Sequence, residues 1–103
     1  EAVAEYLRND ATPEGLRAGL AYYRAIPQDI ENNQALAAAG RQAMPVLTLS
    51  GAGGRGRGPE VGDCLRSVAD EVTEHVFEDC GHWLPEEKPE EFCARLLEFL
   101  AVR

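Results

Sequence analysis

Basic charge is scarce in this chain. Ten lysines and arginines face eighteen aspartates and glutamates over 103 residues, a net charge of −8. That balance argues against nucleic-acid binding, which needs a basic face, and against a polybasic contact with a membrane. Long apolar runs are absent too: none approaches the ~20 residues a membrane span requires. Cysteine is sparse. Cys64, Cys80 and Cys93 are too few and too scattered for a disulfide framework, and the odd count points to reduced thiols and a cytoplasmic setting. The opening Glu1-Ala2-Val3-Ala4-Glu5 has no initiator Met and no charged-then-apolar signal pattern. A chain that opens mid-helix in this way is expected to be a cleavage product or a segment of something longer.

Strand signals are missing from roughly the first forty residues, which read as helical throughout. Val3, Tyr6 and Leu7 share one face of a helix over residues 1–9. After a break at Asn9-Asp10-Ala11, Thr12-Pro13-Glu14 is a helix start: an N-cap hydroxyl, a proline at the first helical position and an acid in the first turn. That helix carries Leu16, Leu20 and Tyr23 until Pro27 interrupts it. A weaker helix is expected from Asp29 to Ala39, ending near Gly40.

The character changes at Met44-Pro45. Val46 to Ser50 is a short apolar run suited to a buried parallel strand. Gly51 to Gly58 holds five glycines and two arginines and reads as a flexible loop. A short helix is expected over Val61–Ala69, a second strand over Val72–Phe77, and an amphipathic helix over Pro89–Val102 with Phe92, Leu96, Phe99 and Leu100 on one face. Two parallel strands joined by a crossover helix make an α/β unit. Two strands are too few for an independent sheet, so the expectation is a partial domain completed by a companion segment.

One histidine stands where such folds carry their chemistry. His82 follows the second strand and precedes the last helix, on a loop at a strand's carboxyl end. Near neutral pH an imidazole can take and return a proton. No convincing nucleophile accompanies it: in Thr48-Leu49-Ser50-Gly51-Ala52, Thr48 replaces the first glycine of a Gly-x-Ser-x-Gly elbow. His75, mid-strand, is expected to be structural or at the surface, without a partner. Cys80, two residues before His82, is a weak hint of a Cys-His pair or of metal ligands, and reads better as filler.

The residues Met44-Pro45-Val46-Leu47-Thr48-Leu49-Ser50-Gly51, followed by Gly81-His82-Trp83-Leu84-Pro85-Glu86-Glu87-Lys88-Pro89-Glu90-Glu91-Phe92, resemble the C-terminal part of an α/β-hydrolase. The type they are most similar to is the epoxide hydrolase and haloalkane dehalogenase branch, in which a Gly-His pair carries the catalytic histidine. Gly15 to Ala25 also resembles the final cap helix of these enzymes. The resemblance implies an α/β fold with residues 1–43 as the end of a helical cap and 44–103 as the last two strands and flanking helices of the core. It implies hydrolysis of a small, mainly apolar substrate, an epoxide first and an ester or halide next. His82 would be the general base, activating water against an aspartyl ester, or activating a serine in serine-type members. Tyr22 or Tyr23 would donate a hydrogen bond to the epoxide oxygen, and Trp83 would line the pocket or anchor the core. No metal or organic cofactor is implied. The nucleophile is expected on an N-terminal hydrolase segment, the partner of this chain.

The family usually places an acid shortly after the first of these strands. Here the window reads Ala52-Gly53-Gly54-Arg55, without a carboxylate. Three arrangements follow: a folded-back loop brings Glu60 or Asp63 near, the acid follows an earlier strand in the companion segment, or the enzyme is impaired. The second is preferred. Two other classes stay in view. A non-catalytic hydrolase-like interaction module would explain the absent acid. A nucleotide-binding oxidoreductase fragment would use the G-x-G-x-x-G match Gly51–Gly56. Against the latter, Arg57-Gly58-Pro59 delays the helix that the third glycine should open.

Overall fold

The computed structural model describes residues 2–101. They divide into two compact units, one ending at Ala39 and one beginning at Gly40.

The first unit is three helices: α1 (Ala2–Asp10), α2 (Pro13–Arg24) and α3 (Ile26–Ala39). The Thr12 hydroxyl caps α2 by accepting from the Gly15 amide at 3.0 Å, with Pro13 in the first turn and Glu14 beside the helix's positive end. Pro27 does not interrupt a helix; it lies in the first turn of α3, which begins at Ile26 and not at Asp29. There its missing N–H costs nothing, because first-turn amides have no intrahelical acceptor. Consecutive helices pack on each other, yet no residue of α2 or α3 is buried. Leu16, Leu20, Ile30 and Leu36 all remain exposed.

The second unit is built on two parallel strands, β1 (Val46–Gly51) and β2 (Val72–Phe77), in register from Val46 opposite Val72 to Gly51 opposite Phe77. The crossover helix α4 (Glu60–Arg66) connects them. It is shorter than the apolar pattern predicts, because Ala69 joins an isolated parallel bridge with Gln42 and is drawn out of the helix. Arg41 fastens the chain's entry to β1: it bonds Asp70 at 2.6 Å and the carbonyls of Ser67 and Arg66 at 2.9 and 3.0 Å. After β2 come a one-turn helix, α5 (Leu84–Glu87), which the sequence pattern does not reveal, and α6 (Pro89–Ala101). Val102, included in the sequence reading of the last helix, lies outside the described residues.

The core of this unit is small: Phe77, Cys80 and Leu84 are buried, with Leu49 and Phe92 packed against them. Cys80 is therefore a core side chain. Its thiol is pushed above the usual range by burial and by the neighbouring Glu87 carboxylate. His75 is not partnerless. Its Nε2 lies 3.1 Å from Glu91 Oε1 on α6, and its ring meets Phe77 edge to face at 4.6 Å between centroids.

The glycine loop is also not the free segment its composition predicts. The Gly53 amide donates to Cys80 O, Gly56 to Gly53 O and Gly58 to Gly51 O, each at 2.8 Å. The Ser50 hydroxyl, buried, donates to Gly58 O at 2.7 Å. Two of the glycines are required by contact. A Cβ at Gly51 would sit 2.1 Å from Gly81 O, and one at Gly56 would sit 2.0 Å from Gly51 O. The loops leaving β1 and β2 touch backbone to backbone, and only glycine permits that approach.

Candidate active site

Both strands are parallel, so their carboxyl ends lie side by side and their exit loops share one end of the sheet. A cavity of ≈ 170 Å³ opens between these loops, lined by Leu49, Gly51, Arg57, Val61, His82 and Leu84 among others. His82 is solvent-accessible at its edge. The lining is mainly apolar, with one imidazole and one guanidinium, which suits a small apolar molecule held against a proton-transfer group.

The loop bearing His82 is held from two sides. On one side Gly53 donates to Cys80 O and Gly51 lies against the Gly81 carbonyl. On the other, the Glu87 carboxylate accepts from the Gly81 amide at 2.7 Å and the Trp83 amide at 3.1 Å. These two amides flank His82. The bonds hold the Glu87 carboxyl below its ordinary range, with the negative carboxylate further favoured by the Cys80 thiol and by His82 nearby. Glu87 was not singled out by sequence reasoning. The available signal was an acid four residues after Trp83, the N-cap of α5, with Pro85 between them; side chains so placed can reach back to amides ahead of a helix, as in a capping box.

The other residues named from the sequence fall as follows. Trp83 is not a core anchor; it is 65 % exposed, with its indole edge-on to the His82 ring at 5.6 Å between centroids. Tyr22 and Tyr23 belong to the helical unit, near the C-terminal end of α2. Both rings are exposed and meet edge to face at 6.1 Å. Glu60 and Asp63 are each engaged by an arginine. Glu60 is paired with Arg57 at 2.9 Å, and Asp63 with Arg66 at 3.0 Å. Among the described residues, no carboxylate hydrogen-bonds the His82 ring. No group of three or more His, Cys, Asp or Glu among them is placed to hold a metal ion. No helix of the described residues is long and apolar enough to cross a membrane.

This architecture is α/β: a parallel strand pair with helices around it, and a cavity-edge histidine on the loop after the second strand. Comparison with known proteins gives the class more content. The chain is 31% identical over 102 residues to a soluble epoxide hydrolase of Corynebacterium sp. (strain C12), a match covering 98% of this chain and 34% of that protein. The crystal structure of Cfl2 wild-type from Burkholderia cenocepacia matches with a TM-score of 0.85 at 41% identity, covering 94% of this chain and 32% of that one. No family model matches. The chain spans about a third of the length of each of these relatives, and it is similar to a hydrolase over nearly all of its own.

Proposed function

We propose that this chain is the C-terminal part of an α/β-hydrolase of the epoxide hydrolase type, with His82 as general base. The observation that carries the reading is the position of His82: on the loop after β2, at the edge of an apolar cavity, in a chain similar to a soluble epoxide hydrolase over 98% of its length. Residues 1–43 form the end of the helical cap and 44–103 the end of the core. The nucleophile, Asp or Ser, is carried by an N-terminal hydrolase segment, and so is the acid that orients His82. The second assignment is supported by Glu60 and Asp63 being engaged with arginines. The three unpaired thiols support a reducing, cytoplasmic setting.

With an aspartate nucleophile the reaction runs in two steps. A carboxylate oxygen attacks an epoxide carbon, the C–O bond breaks, and Tyr22 or Tyr23 protonates the leaving alkoxide. His82 then takes a proton from water as its oxygen attacks the ester carbonyl, the diol leaves as the carboxylate is restored, and the proton on His82 returns through solvent to the tyrosine phenolate. Trp83 borders the substrate beside His82. No metal or organic cofactor enters these steps. The nucleotide-binding reading is disfavoured by the loop itself, because the Gly53, Gly56 and Gly58 amides are already donated to carbonyls.

The test is His82→Ala in the assembly with the N-terminal segment, exposed to a small epoxide and followed by intact-mass measurement. An aspartyl mechanism predicts a trapped ester adduct, and a serine mechanism predicts neither adduct nor product. Product formation at the wild-type rate overturns the assignment and leaves a non-catalytic interaction module as the better account.

A further inference from the structure

The feature that the proposed chemistry does not use is the Glu87 carboxylate. It stands at the last position of α5, a one-turn helix whose first turn is closed by Glu86 and Glu87 amides donating to Trp83 O at 3.0 and 2.9 Å. That turn folds the side chain back over the loop preceding the helix. Its two oxygens are then divided between the amides on either side of His82: Oε2 takes Gly81 N–H at 2.7 Å and Oε1 takes Trp83 N–H at 3.1 Å. Gly81 permits the approach, since a Cβ there would lie 3.1 Å from Oε1. The opposite side of the loop is fixed by Gly53 donating to Cys80 O and by the Gly51–Gly81 backbone contact.

We infer that Glu87 is a positioning residue for His82: its ionised carboxylate clamps the Gly81 and Trp83 amides and so fixes the direction from which the imidazole enters the cavity. The inference rests on the reading of His82 as general base. A neutral amide cannot replace the carboxylate, because one of its two polar ends is an NH2 that would face a backbone N–H, donor against donor. Two charge-assisted bonds to rigid amides also set orientation more tightly than one neutral bond. Proton transfer is sensitive to such aim, and a displacement of about 1 Å at a reacting group costs on the order of 100-fold in rate.

The experiment compares Glu87→Gln, Glu87→Asp and Glu90→Gln in the assembly with the N-terminal segment. Glu90, exposed at the start of α6, is the charge-matched control. Glu87→Gln is expected to lower kcat by about 10- to 100-fold with KM within about twofold. It should shift the Gly81 and Trp83 amide proton resonances upfield and mobilise the His82 ring, read from side-chain NMR relaxation. Glu87→Asp should recover part of the rate, and Glu90→Gln should stay within about twofold of wild type. In a His82→Ala background, Glu87→Gln should cost nothing further, since the two act as one unit. A kcat loss that persists in that background, or a His82 ring whose order is unchanged by Glu87→Gln, overturns the inference. If His82→Ala alone leaves turnover intact, the hydrolase reading fails. The amide shifts and ring order still decide whether Glu87 positions His82.

Discussion

The two units solve the same problem differently. In the helical unit, α1 to α3 are specified by signals a few residues apart: a capping threonine, prolines in first turns, acids near helix starts. They bury almost nothing, and their leucines stay open to solvent. In the strand unit the local signals are weaker but contacts are non-local. β1 pairs with β2 across 26 positions of sequence, Arg41 reaches Asp70, and the loops after both strands meet at glycines. The candidate base His82 sits on the second kind of scaffold. A proton-transfer group must be aimed, and aim comes from contacts that fix a backbone from several sides at once. A helix held mainly by its own hydrogen bonds gains its tertiary place only when its apolar face is covered.

That contrast can be broken by measurement. Truncating Phe77, which is 3% exposed, to Ala is expected to cost about 3–5 kcal/mol in denaturant unfolding of the strand unit. Leu16→Ala, at a site 59% exposed, is expected to stay within about 0.5 kcal/mol. Equal costs at the two sites would erase the distinction. A smaller effect sharpens the local side: Thr12→Ala should cost about 1 kcal/mol and show as lost amide protection at Gly15, while the strand unit's amides are unchanged.

The smallest effect is a pH dependence confined to the His82 loop. The carboxyl of Glu87 is depressed below the ordinary 4.5 by the bonds it accepts from Gly81 and Trp83. Such a group contributes stability that is fully present above 4.5 and is lost as pH falls through its lower, folded value. Gly81 and Trp83 amide resonances should therefore hold their positions down to pH 4.5 and move only below it. Movement that is complete above 4.5 would show the carboxylate unclamped.

The sequence made the regular elements readable and left most of their cross-connections hidden. Val72–Phe77 and the start of the last helix at Pro89 could be placed because strand composition and a first-turn proline are local properties. The Thr12 cap was readable for the same reason. Pro27 misled, since a proline marks a helix start as readily as an interruption, and only the bonding around Ala25 distinguishes them. The five glycines of Gly51–Gly58 signalled freedom; their use at Gly51 and Gly56 is close backbone contact, against Gly81 thirty residues away for Gly51 and against Gly51 within the folded loop for Gly56. His75 had no visible partner because Glu91 is 16 residues on, across a strand and a helix. Helix α5 escaped because one turn carries no periodicity, and with it went Glu87, whose partners are backbone amides that carry no sequence signal. For the candidate site, the place of His82 on the loop after the second strand was legible from its neighbours, and the geometry that holds that loop was not.

The central claim is that His82 is the base of a hydrolase whose nucleophile lies on a companion segment. Its most direct test is the steady-state turnover of a small epoxide by the assembly of this chain with that segment, wild type against His82→Ala. Loss of a positioned general base predicts a fall in kcat of about 10²- to 10⁴-fold with substrate binding retained. Turnover within twofold of wild type would contradict the account.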